Sequence, residues 1–186
     1  AREFPMNLAE TASTICEVIV SLKAIEEGEN KLTLLDDFIS RYVAYNMNLH
    51  SRFLFDVAIH KKRKEGFLPM ETLNQMMEDA QKEAYANGLA DYFPLFWAYK
   101  MHFYFTDATF YNWTYTFGFL YAISVYTSLS EKGNFEENYM ALLKDTGSMT
   151  VEELTKKHLG KDPKEKSFWL QATSFLNTKI EEFLAL

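Results

Sequence analysis

Residues 33–64 read TLLDDFISRYVAYNMNLHSRFLFDVAIHKKRK, and Leu35, Phe38, Tyr42, Tyr45, Leu49 and Phe53 fall along them at three- and four-residue steps. Side chains at that spacing line one face of an α-helix, because about 3.6 residues complete a turn. The stretch therefore predicts one long helix, Thr33 to Lys64, stopped by Gly66. Its closing run, Lys61-Lys62-Arg63-Lys64, places four cations where the backbone dipole is negative, so a solvated helix end explains it better than a nucleic-acid patch does.

The same pattern continues on both sides. A first helix is expected from Asn7 to Glu26, with Gly28 taking the left-handed conformation after it. Pro69 is placed to open a helix that closes at Gly88. Next, 16 of the chain's 30 aromatic residues fall between Tyr92 and Tyr126, with a loop expected around Thr106–Thr109 and a helix from Tyr111 to Leu129. Shorter helices follow over Phe135–Lys144 and Val151–Leu159, the latter with capping-box spacing at Thr150 and Glu153 and a stop at Gly160. Asp162-Pro163-Lys164-Glu165 has the form of a helix start, and the last helix runs to Phe183. About seven helices joined by short connections, with no repeat, predict an all-α fold: a helical bundle in which residues 1–186 form a single region.

Composition narrows the function. With 26 acidic and 19 basic side chains the formal charge is −7, which repels a phosphate backbone and argues against nucleic acid. The one cysteine, Cys16, rules out an internal disulfide framework and points to a reducing compartment, so a cytoplasmic location is expected. The most apolar run, Phe117 to Tyr126, is half the roughly 20 residues of a bilayer span. The opening Ala1-Arg2-Glu3-Phe4-Pro5 has no apolar core of a secretory signal.

Two constellations carry chemistry. Glu10 and Glu17 are seven apart, so on a helix they share a face, and a carboxylate so placed can complete a catalytic zinc site beside two histidines. By spacing alone they are equally ordinary acidic residues. About ninety residues on, His102-Phe103-Tyr104 precedes Phe110-Tyr111-Asn112-Trp113-Thr114-Tyr115-Thr116-Phe117-Gly118. Phe103, Phe105, Phe110, Phe117 and Phe119 read as core, since aromatics at helical spacing usually are.

Phe4-Pro5-Met6-Asn7-Leu8-Ala9-Glu10-Thr11-Ala12-Ser13-Thr14 resembles the glutamate-ligand helix of the oligoendopeptidase F branch of the thimet-type metallopeptidases. The second constellation is similar to that family's HFY segment and its FYxxxYTFG-like run, and Gly160–Pro163, Phe168-Trp169 and Ile180–Phe183 resemble its closing segment. The resemblance implies a zincin-like helical fold and the hydrolysis of short peptides by a zinc-activated water. It assigns Glu10 as zinc ligand and Glu17 as a group that orients a ligand or substrate. His102, Tyr111 and Tyr115 become the donors that stabilise the oxyanion appearing in the transition state, and Tyr104 a weaker substrate contact.

The family's HExGH motif is missing. His50 is followed by Ser, His60 by Lys, His102 by Phe and His158 by Leu, so two imidazole ligands and the adjacent base have to come from elsewhere. The expectation is a fragment of a larger enzyme, inactive alone, with little zinc affinity of its own. Its partners would be short peptides and the N-terminal part of the same enzyme, with self-association through uncovered apolar surface. The competing reading is a non-catalytic helical module that binds a peptide or protein. His50, His60 and His158 are read as surface or cap residues.

Overall fold

The computed structural model describes residues 5–186, so Ala1–Phe4, including the first residue of the Glu10 motif, lie outside it. The described chain is all-helical, as expected, and no strand occurs among the described residues. The helices are α1 (Thr11–Glu27), α2 (Lys31–Val43), α3 (Leu49–Lys62), α4 (Met70–Ala84), α5 (Phe96–Tyr99), α6 (Trp113–Lys132), α7 (Phe135–Asp145), α8 (Val151–Leu159) and α9 (Lys166–Leu184). They fall into two compact units, one holding the chain up to Tyr42 together with Phe117–Leu186, the other Val43–Thr116.

The first unit is organised by α6. Tyr121, Ala122, Ile123, Ser124 and Val125 are consecutive and all fully buried, which marks a helix enclosed on every side rather than one with a single apolar stripe. Ile15, Leu129, Leu142, Val151, Leu154, Leu159 and Phe168 complete its core. Burying an apolar side chain of this size contributes about 1.5–3 kcal/mol. Polar groups buried there have partners: the Tyr121 hydroxyl lies 2.8 Å from Thr155 Oγ1, Ser124 Oγ donates to the Phe168 carbonyl, and burial pushes the Tyr121 phenol up to about 12. No helix among the described residues is long and apolar enough to cross a membrane.

The second unit packs α3 against α4. Phe55, Met77 and Ala80 are its buried centre, flanked by Leu54, Ile59, Leu73, Phe96, Trp97 and Phe103. The irregular stretch after α4 is tied down by polar side chains. Gln81 Nε2 donates to the Phe93 carbonyl at 2.9 Å while its Oε1 accepts from the Phe93 N–H at 3.0 Å. Trp97 Nε1 donates to Asn74 Oδ1 at 2.9 Å.

Several boundaries differ from the sequence reading. The helix expected over 33–64 is helical nearly throughout, but Ala44–Asn48 winds as a π-helix between α2 and α3, and Arg63–Glu65 tightens into a 3-10 turn. Gly28 is extended (φ −78°, ψ 142°), not left-handed. Its lack of a Cβ matters for space, since a methyl there would run into Leu34 and the Ala24 carbonyl. Before Gly88, Ala86 and Asn87 take the left-handed conformation that ends the α4 segment. Asp162 closes a local turn, accepting from the Lys164 N–H at 2.9 Å, and α9 begins only at Lys166. By contrast α8 has the expected bounds, with the Thr150–Glu153 capping box formed and Gly160 left-handed (φ 70°).

Candidate active site

The second unit brings His102, Tyr111 and Tyr115 together. His102 lies in a 3-10 turn, Met101–Tyr104, and its Nε2 is 3.2 Å from the Tyr115 hydroxyl. The His102 and Tyr111 rings stack with centroids 6.4 Å apart, and Tyr111 meets Tyr115 edge-on at 5.4 Å. Three side chains with polar tips thus share one aromatic cluster. A phenol and an imidazole can both present hydrogen to a carbonyl oxygen that is gaining charge.

The backbone that delivers Tyr111 is strained. Phe110 has φ 61°, a region that a bulky residue avoids at a cost of order 1–3 kcal/mol. Its ring packs on His60, centroids 4.4 Å apart. Just beyond, Asn112 is fully buried and its Nδ2 donates to Asp56 Oδ2 at 3.0 Å. Asp56 is buried too, and that burial pushes its carboxyl above the usual range although the Asn112 bond opposes the shift. The conformation is therefore held from both sides of residue 111.

A cavity of about 190 Å³ opens beside the pair, lined by Tyr45, Asn48, Leu49, Arg52, His102 and Tyr115 among others. One wall is the π-helical turn, whose widened winding is enriched at functional sites. Thr116 Oγ1 donates to the Tyr45 carbonyl in that turn at 2.6 Å. Tyr104 goes elsewhere: it is exposed, its hydroxyl rests near the carbonyls of Trp97 and Ala98 at 3.4 and 3.5 Å, and it lines a second, larger cavity of about 540 Å³ with Phe55, Ile59, Leu73, Trp97 and Phe103. Tyr45, Asn48 and Arg52 were not among the sequence candidates. Asn48 and Arg52 stand four apart, a readable helical pair, but no spacing rule announces a π turn.

Glu10 and Glu17 belong to the first unit. Glu10 is the residue before α1 rather than inside a helix from Asn7, because a 3-10 turn, Met6–Leu8, precedes it. Its carbonyl accepts from Thr14 Oγ1 at 2.6 Å and from Ser13 Oγ at 3.1 Å, so the hydroxyls of the motif fasten its backbone. Gly118 explains the glycine of the second motif: a Cβ there would stand 3.1 Å from Glu10 Cβ and 3.2 Å from Glu10 C. Glu10 is half-buried and Glu17 exposed on α1.

Among the described residues no three His, Cys, Asp or Glu side chains gather as a metal site would require. Glu10 offers one carboxylate where a catalytic zinc needs three protein ligands, so these residues alone do not fit the ion. Of the remaining histidines, His50 is exposed and the other two hold local structure. His60 Nδ1 lies 2.9 Å from the Asp56 carbonyl, and His158 Nε2 lies 2.7 Å from Asp145 Oδ2, joining α8 to α7.

Comparison with known proteins bears on what such a cluster is for. A family model, Peptidase family M3, matches residues 1–174. Neither the curated proteins nor the solved structures gave a match. The family match covers nearly the whole chain, including the Glu10 segment, the HFY segment and the strained run to Gly118, and the chain belongs to peptidase family M3.

Proposed function

We propose that this chain is the helical portion of a zinc-dependent oligoendopeptidase of the F type, which cleaves peptide bonds in short peptides. The observation that carries the reading is the His102–Tyr115 contact, 3.2 Å between Nε2 and the hydroxyl, inside a ring cluster with Tyr111. In this reading His102, Tyr111 and Tyr115 donate to the oxyanion as it forms, and Tyr104 contacts substrate further out. Glu10 supplies one zinc ligand and Glu17 supports it. The two imidazole ligands come from a segment outside these 186 residues, since none of the four histidines begins an HExxH. Zinc, when bound, would activate the attacking water.

The peptides, the zinc-binding segment and a second copy of the chain are the proposed partners, and the single exposed thiol of Cys16 fits a reducing, cytoplasmic setting. The isolated chain is then inactive and binds zinc weakly. The test uses the intact peptidase. Glu10→Gln keeps the side chain's shape while removing its charge, so zinc content by atomic absorption and turnover of a quenched peptide are expected to fall together. Full metal loading with full activity would remove Glu10 from the site.

A further inference from the structure

Arg52 and Lys100 stand out in a chain that is acidic overall, with 26 carboxylate side chains against 19 cations. The Arg52 guanidinium carbon lies 5.1 Å from the centre of the Phe96 ring. Lys100 Nζ lies 5.2 Å from the centre of the same ring and 4.9 Å from that of Tyr99. Aromatic faces attract cations, yet they leave the charge uncompensated. Lys100 feels Arg52 as a nearby like charge. Two like charges therefore share one ring, none of the ion pairs found among the described residues reaches either of them, and burial works against the charged form of both.

Arg52 is also held in a fixed pose. Its Nε and Nη2 donate to Asn48 Oδ1 at 3.0 and 2.6 Å. The remaining guanidinium N–H groups keep the planar fork that matches a carboxylate. Both Asn48 and Arg52 line the cavity of about 190 Å³ that also takes in His102 and Tyr115. At ~30 Å³ of liquid volume per water, that space suits a carboxylate and the few atoms attached to it.

We propose that Arg52, supported by Lys100, binds a carboxylate of the peptide substrate beside the His102–Tyr115 pair, so that the peptidase selects peptides bearing an anionic group close to the bond it cuts. The inference rests on the peptidase reading of this site. The carboxylate has two sources, the peptide's free C-terminus or an aspartate or glutamate side chain, and the chemistry of recognition is the same for both. Arg52 acts in specificity and takes no part in bond cleavage.

Binding to the 186-residue chain, followed by titration calorimetry without zinc, separates this inference from the peptidase reading, which is judged on metal content and turnover. Three probes are used: N-acetyl-Ala-Phe-Ala with a free carboxylate, the same tripeptide amidated, and an amidated N-acetyl-Ala-Phe-Glu. The free acid is expected to bind about 10–100-fold tighter than its amide, the range of a charged hydrogen bond. Arg52→Gln is expected to abolish that ratio and Lys100→Gln to reduce it. The glutamate amide binding as tightly as the free acid assigns the site to side chains; binding as weakly as the plain amide assigns it to C-termini. Equal binding of acid and amide, no binding of either, or a ratio unchanged in Lys100→Gln and in Arg52→Gln overturns the proposal. Lys100 is less buried than Arg52, so its variant keeps the test decisive even if Arg52→Gln, which loses packing on Phe96, does not fold.

Discussion

The segment from Thr150 to Gly160 and the segment from Met101 to Tyr115 are similar in length and opposite in character. In the first, every local rule is obeyed: a capping box at the start, apolar Val151, Leu154 and Leu159 turned inward, and a left-handed glycine at the end. In the second, a short 3-10 turn leads into a loop, a phenylalanine sits at φ 61°, and the ring cluster follows. Local consistency is what stability alone selects, and departures from it gather where side chains must be aimed. The contrast teaches that the second segment is shaped by the positions of His102, Tyr111 and Tyr115 rather than by its own propensities.

The strongest way to break that comparison is Tyr115→Phe in the intact peptidase. On the proposed role of its hydroxyl as an oxyanion donor, kcat should fall about 10²–10³-fold with KM and the thermal midpoint little changed. A fall in the midpoint with unchanged kcat would make the ring cluster an ordinary core. Next in size is Gly118→Ala. The added methyl at 3.1 Å from Glu10 Cβ makes that neighbour shift by a few tenths of an ångström, a strain of about 1–3 kcal/mol set against the ~1 kcal/mol that alanine gains over glycine inside a helix, so urea denaturation should show the net loss and zinc content of the intact enzyme should drop with it.

Thr150→Ala sharpens the other side. Losing the capping hydroxyl should cost about 1 kcal/mol of stability and leave peptide cleavage alone, so a loss of activity would mean that α8 is not the neutral control it looks like. The smallest effect is expected at Asp145, where Lys157 and then His158 hold the carboxyl below its usual range. A depressed carboxyl contributes stability above its unfolded pKa of about 3.9 that disappears as pH falls through the folded value. Melting curves of wild type and Asp145→Asn should therefore differ slightly at neutral pH and converge in acid.

How far the sequence could be read follows the same division. The bounds of α8, the stop at Gly160 and the helical nature of 33–64 were legible because each depends on neighbours within a turn or two. The π turn at Ala44–Asn48 was not, since nothing in Tyr45 or Asn48 distinguishes a widened turn from a regular one. Gly28 was legible as a stop but for the wrong reason: its neighbour Leu34 crowds it, a contact that local φ preferences do not contain. At the site, motif resemblance named His102, Tyr111 and Tyr115, and the structure brings those three together. Tyr104 came from the same motif yet lines a different cavity, because two steps along a 3-10 turn rotate a side chain by about two-thirds of a circle. Arg52 was unreadable, as its distinction is its place in space, over the Phe96 ring and bonded to Asn48 at the cavity wall.

The clasp between Gln81 and Phe93 has a consequence for sequence drift. Its two bonds reach the backbone of Phe93 and ignore the ring, so any residue except proline can offer the same N–H and C=O at that position. At position 81 the requirement is severe, since the side chain must donate and accept at once and still reach across from a helix. Glutamate would turn the donor into a second acceptor facing a carbonyl. One residue of α4 thus fixes the backbone at position 93 by itself, whichever side chain that position carries.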